Sequence, residues 1–276
     1  QWMDDFHHII HSFLTGEKGG YYQDYGRLEG LEKAFKNYLY TGEFSQFWQK
    51  NRGTDASQNP GYQFVVSLQN HDQVGNRARG GRISALVDFH FLKAAAGLIF
   101  LSPYIPLLFM GEEYAEKNPF LFFTDYEDSE LQSAVSEGRR KEFKDFNWDE
   151  IPDPQNEQSF FNSKLTPREN WTKENQWIFN FYRDLINLRK KHPALRHLEK
   201  ENTEARVNSE QKIVEVKRWN NDKKLRALIN MGEEEIPLEV TSGRQIFNSE
   251  WKQYGGKIEG DSSTLYKGNM IIFEES

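Results

Sequence analysis

Apolar positions along the chain follow two periods, and the change between them divides it. Over residues 4–14, Phe6, Ile9, Ile10, Phe13 and Leu14 share one face of a helical repeat, and Thr15-Gly16 supplies the stop. A second helix is predicted from Leu28 to Leu39, then a polar loop over 51–61 rich in Gly, Asn, Ser and Pro. The run Phe64-Val65-Val66-Ser67-Leu68, bounded by Pro60-Gly61, reads as a buried strand. Ser84 stands where it would cap a helix from Ala85 to about Leu101, which Pro103 ends. Ile105 to Met110 reads as another strand, closed by Gly111. Residues 118–162 predict a long, mostly irregular segment, within which 137–144 read as a solvated helical face. Loops of such length in a compact domain are usually functional. Glu174 to Lys191 is strongly amphipathic and ends at His192-Pro193.

After Pro193 the period shortens. Ile213–Val216 and Leu225–Ile229 flank Asn220-Asn221-Asp222, a hairpin turn signal, and Ile236–Val240, Arg244–Phe247 and Met270–Phe273 continue the short strands. The expectation is an α/β part over 1–196 followed by a small antiparallel β-sandwich domain over 197–276. The first part supplies only two good parallel strands, whereas a closed (β/α)8 barrel needs eight and about 250 residues. Residues 1–196 are therefore expected to form the C-terminal portion of a TIM barrel. The start at Gln1, directly into a helical pattern, adds the expectation of a fragment or processed product. An incomplete barrel exposes strand edges, so self-association is expected as well.

Composition changes this picture little. With 35 basic against 42 acidic residues there is no basic excess to suggest a nucleic-acid partner. The longest apolar run, Gly97 to Met110, is broken by Ser102, Pro103 and Pro106, so a buried helix and strand are expected rather than a membrane span. The acidic opening is no signal peptide, which makes a cytoplasmic location the default. Cysteine is absent, which excludes disulfides. Aromatic residues are 14% of the chain, and many sit among polar ones, as in Gly20-Tyr21-Tyr22-Gln23-Asp24-Tyr25. Sugar rings stack on aromatic faces while their hydroxyls bond to carboxylates and amides. Composition alone gives a carbohydrate site and ordinary core filling equal weight.

The densest chemistry follows the first strand: Gln69-Asn70-His71-Asp72-Gln73-Val74-Gly75-Asn76-Arg77. The C-terminal end of a buried parallel strand is where α/β barrels place their active sites. Asp72 is the candidate catalytic carboxylate; the plainer reading is a strand-end cap or an ion pair with Arg77. Asn70 and Gln73 suit sugar hydroxyls because amides both donate and accept. For Gln73, satisfying loop backbone weighs as much. Arg77 and Arg79 are more ordinarily partners of loop carboxylates than substrate contacts. Asp4, Asp5, His7, His8 and His11 invite a metal hypothesis, since His7 and His11 share a helix face. Without a further ligand the spacing is weak, and neither metal nor cofactor is expected. Glu112-Glu113 reads first as a helix start or ion pair. Phe120, Phe122 and Phe123 fit a sugar subsite and a core under a loop equally.

Together these residues carry a resemblance. Phe64 to Asp72, ending in Asn70-His71-Asp72, resembles the fourth signature region of the α-amylase superfamily (glycoside hydrolase family thirteen), which closes the seventh barrel strand. Leu107-Leu108-Phe109-Met110-Gly111-Glu112-Glu113 resembles the eighth strand and its loop. Trp2 to His8, Gly20-Tyr21-Tyr22, Leu101 to Pro106 and Asn118 to Asp125 resemble trehalose-releasing members of that superfamily. The resemblance implies retaining hydrolysis of an α-1,4-glucosidic bond beside a terminal trehalose, with a malto-oligosaccharide as partner. It makes Asp72 the carboxylate that stabilises the oxocarbenium-like transition state. His71 would bond the same sugar, and Asp4, Asp5 and Glu113 would be substrate contacts. A carboxylate fixed in a water-poor pocket stabilises developing positive charge strongly. The nucleophile and general acid, about 5 Å apart in retaining enzymes, would follow strands four and five, upstream of every segment matched. The chain would then be inactive alone. Alternatives are part of an α-1,4-glucan branching enzyme and a non-catalytic carbohydrate-binding fragment.

Overall fold

A computed structural model describes residues 1–142, 151–221, 223–238 and 243–275. Four expectations run partly outside the described residues: residues 143–150 of the 118–162 segment, the end of the 137–144 helical face within it, Asp222 of the hairpin turn, and the end of the 236–240 strand.

The first helix, α1 (Asp5–Thr15), buries Phe6, Ile9 and Ile10 and ends at Gly16, whose φ of 74° is the left-handed closure that favours glycine. The second, α2 (Gly30–Ala34), is much shorter than its apolar pattern predicts. Asn37 explains this: its side-chain oxygen accepts the N–H groups of Tyr38 and Ala56, an alternative to continued helix. Ahead of the expected polar loop is a hairpin, β1 (Thr41–Ser45) with β2 (Lys50–Gly53), which takes up only residues 51–53 of that loop and leaves 54–60 irregular.

The central parallel pair is β3 (Val65–Val66) beside β4 (Ile105–Pro106). Residues 1–3 extend it on the other side of β3, through Val65 N–H to Gln1 O at 2.9 Å and Met3 N–H to Val65 O at 2.8 Å. Between these strands lie α3 (His71–Gly75), α4 (Ile83–Leu86) and α5 (Phe89–Leu101). The single helix expected from Ala85 is thus two. Asp88, not Ser84, caps the long one, accepting the N–H of His90 at 2.9 Å. Ser84 lies inside α4 and donates its hydroxyl to the Glu116 carbonyl. The segment expected to be irregular holds α6 (Ser129–Glu142) and α7 (Glu157–Asn162). Then come α8 (Lys173–Lys191), opened by a reciprocal Thr172–Asn175 cap, and α9 (Pro193–Arg196).

The remaining strands are β5 (Thr203–Asn208), β6 (Ile213–Asn220), β7 (Lys223–Asn230), β8 (Ile236–Pro237), β9 (Arg244–Asn248), β10 (Thr264–Leu265) and β11 (Met270–Glu275). Five form one antiparallel sheet in the order β5-β6-β7-β11-β9, and β8 pairs with β10 as a two-stranded ribbon. Alternation sorts the sheet's side chains. Val214, Val216, Ala227, Ile229 and Ile272 join Phe6, Leu98 and Phe181 in one continuous core. Leu228, Ile271 and Phe273 pack with Leu265 of the ribbon in a second, smaller cluster. Two buried arginines stitch the parts together. Arg218 donates to Leu101 O and Ser102 O at 2.8 and 2.9 Å, and Arg189 donates to Ser102 O at 2.9 Å, closing the C-terminus of α5. Among the described residues no helix is long and apolar enough to cross a membrane.

Candidate active site

The site is built where β3 runs out. Asn70 is extended (φ −143°, ψ 179°), and its side-chain oxygen accepts the Gln73 N–H at 2.9 Å, which caps α3. Its amide therefore serves backbone first. One residue into α3, Asp72 is exposed, and its Oδ1 accepts the Asn76 amide at 2.8 Å. Gln73 is buried and donates to Asp4 Oδ1 at 3.1 Å, joining α3 to the start of α1, while its Oε1 has no partner among the described residues. Asn70, Asp72, Gln73 and Asp4 line one cleft of about 730 Å³. Desolvation, and then the charge of Asp72, push the Asp4 carboxyl above the usual aspartate range.

The cleft's walls are aromatic. Tyr21, Tyr22 and Tyr25 come from the segment after α1, Tyr40 from the approach to the hairpin, and Phe47 and Trp48 from its tip. Asp24 pins that tip: its carboxylate accepts Ser45 Oγ at 2.5 Å and the N–H groups of Gln46 and Phe47 at 3.0 and 3.3 Å. Gly53 closes the hairpin at φ 77°, where a Cβ would sit 1.8 Å from the Tyr40 carbonyl oxygen, so no other residue fits. Arg52 stacks over Trp48 at 4.8 Å. Trp48 is 48% exposed, so it offers ring surface to the cleft at little ordering cost.

Under these walls lies a fixed polar layer. Arg77 grips Glu17 with two bonds of 2.6 and 2.8 Å, and His11 Nε2 lies 2.9 Å from the same carboxylate. Burial opposes ionisation of Glu17, but the bonds from Arg77 and His11 outweigh it and hold the carboxyl well below its usual range. Arg77 is thus paired with Glu17, not with Asp72. His7 is buried between Leu68 O at 2.5 Å and Tyr22 Oη at 2.7 Å, and burial with the neighbouring His11 drives it well below the ordinary histidine range. Burial, then His11 and Arg52, lower His8 to about 4. His7 and His8 are neutral supports for the tyrosines. Among the described residues no cluster of His, Cys, Asp or Glu is arranged to hold a metal.

Three expected contacts, Asp5, Glu113 and His71, do not line the cleft. Asp5 is 7% exposed, and its oxygens accept the Leu39 N–H at 2.7 Å and Tyr25 Oη at 3.2 Å, so it is structural. Glu113 accepts the Gly111 N–H at 3.0 Å and is not a lining residue. His71 is exposed beside the cleft, edge-on to Trp2 at 5.9 Å, rather than lining it. Phe120, Phe122 and Phe123 lie outside the lining too; Phe120 packs edge-on to Phe109 at 5.2 Å. Glu112, expected as a helix start or ion pair, opens a 3-10 turn but is buried, forms no salt bridge among the described residues, and accepts Tyr182 Oη at 3.1 Å. Sequence reasoning missed Phe47, Trp48 and Arg52. Their signal was a Phe-Trp pair in a polar stretch, readable only once the hairpin is known.

The comparisons with known proteins bear on this site. No family model matches the chain. Malto-oligosyltrehalose trehalohydrolase from Saccharolobus solfataricus is 49% identical over 193 residues, 70% of this chain and 33% of its own length. The chain is homologous to part of the malto-oligosyltrehalose trehalohydrolases. The Brevibacterium helvolum trehalohydrolase aligns over 99% of the chain at 35% identity, covering 46% of its own length. The chain thus spans a third to about half the length of the trehalohydrolases it matches. A crystal structure described as a putative alpha amylase from Salmonella typhimurium superposes on 100% of the chain with a TM-score of 0.85 and 34% identity, over 46% of its own length. The fold described above is therefore that of part of an α-amylase-type protein, and the relatives are glycoside hydrolases.

Proposed function

We propose that this chain carries one part of the sugar site of a retaining α-glucanase that releases trehalose from maltooligosyl-trehalose. Asp72 is its transition-state-stabilising carboxylate. One observation carries the reading: Asp72 stands unburied in a cleft walled by tyrosine and tryptophan, at the end of a parallel strand. The rings supply stacking surface, and Asp72, Asp4 and Arg52 supply hydroxyl partners. In this reading residues 1–196 are the C-terminal portion of a (β/α)8 barrel, and 197–276 are a β domain that buttresses it.

Carboxylate geometry supports a shared site. Of the acidic groups on the cleft, Glu17 is held by Arg77 and Asp24 by the hairpin, which leaves Asp4 and Asp72 open. Asp72 is also exposed, whereas stabilising an oxocarbenium ion needs a water-poor surround. Further walls, with the nucleophile and general acid, come in this account from outside the chain. The test is trehalose release from maltooligosyl-trehalose by the chain alone, for which the account expects no turnover. Asp4 gives a second reading its one foothold. A carboxyl with raised pKa beside a second carboxylate is the arrangement of an acid and its charged partner. Turnover at an ordinary glycosidase rate would favour Asp4 and Asp72 as the working pair and overturn the divided site. A branching enzyme would instead break an α-1,4 bond and move the freed segment onto a 6-hydroxyl as an α-1,6 branch without releasing trehalose, and a binding fragment would do neither even when completed.

A further inference from the structure

A second cavity, of about 620 Å³, shares no lining residue with the cleft. It opens where residues 115–118 meet the loop 166–172 and the start of α8. The indole of Trp177 forms part of its wall. Part of that ring is packed away: Gly255, at φ 78°, approaches so closely that a Cβ would lie 2.6 Å from it, and Phe89 meets it edge-on at 6.2 Å. The rest of the ring borders the cavity, and its N–H has no hydrogen-bond partner among the described residues.

Around the indole are one fixed amide and two groups open to hydroxyls. Asn175 is fixed by the α8 cap and by its 2.6 Å bond to Tyr114 O. The Asn170 amide is exposed with no partner among the described residues. Lys117 and Glu174 form an exposed pair at 3.3 Å, an interaction weak enough to open for a ligand. Charge decides the ligand class. Glu116 and Glu174 balance Lys117 and Lys173, and the Glu116 carboxylate is already occupied by Thr166, Asn118 and Tyr114. Such a surface attracts neither anions nor cations. An indole bordered by the open Asn170 side-chain amide and a loose ion pair fits a neutral ring with an apolar face and equatorial hydroxyls, and the volume suits one or two of them.

We propose that this cavity is a second carbohydrate-binding site, which takes one or two glucose units of a malto-oligosaccharide against Trp177, with Asn170 and the Lys117–Glu174 pair as hydroxyl partners. The choice of glucose rests on the substrate reading above. A chain held here and at the cleft gains affinity from both, because the second contact becomes intramolecular.

Maltotriose titrated into ¹⁵N-labelled chain tests this through the indole N–H resonances, with Trp177→Phe to assign that of Trp177. The expected result is a saturable shift of the Trp177 resonance that persists in Trp48→Ala. Asn170→Ala, at an exposed position, should weaken that shift at least threefold while leaving the Trp48 titration unchanged. A Trp177 resonance that stays still while that of Trp48 moves overturns the second site and spares the cleft. One that moves only when Trp48 is intact overturns it as well. If Trp177 responds and Trp48 does not, the second site stands and the cleft reading falls; if neither responds, both fall.

Discussion

Two carboxylates show what residue-level reading could and could not reach. The place of Asp72 at a strand end, on the cleft, was legible because its neighbours announce it: an apolar strand run, then Asn70, His71 and Gln73. Glu112 was not, because nothing in Gly111-Glu112-Glu113 says which acid turns inward. The structure buries Glu112 against Tyr182, next to Gln69, and desolvation raises its carboxyl to about 8. The groups facing it are Tyr182 from α8, Glu113 beside it and Arg82 ahead of α4. The folded-state pKa lies above the unfolded one, so the neutral acid's contribution is complete below about 4.5 and is lost as pH rises towards 8. Glu112→Gln keeps the shape and removes the titration. Its melting temperature should gain on that of the parent steadily between pH 5 and 8, and parallel curves would show that Glu112 ionises freely. Asp5 lies off the cleft for the complementary reason: sequence places it beside Asp4 but cannot show that Leu39 and Tyr25 occupy both its oxygens.

At the scale of elements, long apolar patterns were read well and short polar ones were not. The helices α1 and α8 and the strands β6 and β7 follow their periods, because burial of one face sets them. The β1–β2 hairpin buries almost nothing, with every residue of β2 exposed. Its position comes instead from Asp24, more than twenty residues ahead of the tip in sequence, and no local pattern encodes that. Hence Asp24→Ala should free the tip. Hydrogen exchange over 41–53 should speed up by about tenfold or more, the loss of at least one charge-assisted bond of roughly 1.5 kcal/mol, and malto-oligosaccharide affinity should fall with it. Unchanged exchange would mean that the hairpin holds itself.

For the whole molecule, the change of period near residue 197 marks a change of architecture but not a break in the core. Lys93 of the apolar helix α5 is fully buried and donates to Ser249 O, Glu250 Oε1 and Tyr254 O at 2.7, 2.8 and 3.2 Å. Glu250→Ala leaves a buried ammonium without its counter-charge, at a cost of about 3–5 kcal/mol. A single unfolding transition should move down as one; a separate transition for the β sheet would contradict a shared core. The parallel strands also carry an exposed rim, with Trp2, Tyr62 and Ile105 at 45%, 61% and 40% exposure. Self-association through it is expected, and a monomer in light scattering across the micromolar range would count against that.

The claim on which the account depends is that sugar occupies the Asp72 cleft. Calorimetric titration with maltooligosyl-trehalose, comparing the parent chain with Asp72→Asn, tests it most directly. Asp72 is exposed and, among the described residues, accepts only the Asn76 amide, so the substitution leaves the fold intact. Loss of a charged hydrogen-bond acceptor should weaken the cleft's binding about tenfold or more. An affinity unchanged by Asp72→Asn would contradict the account.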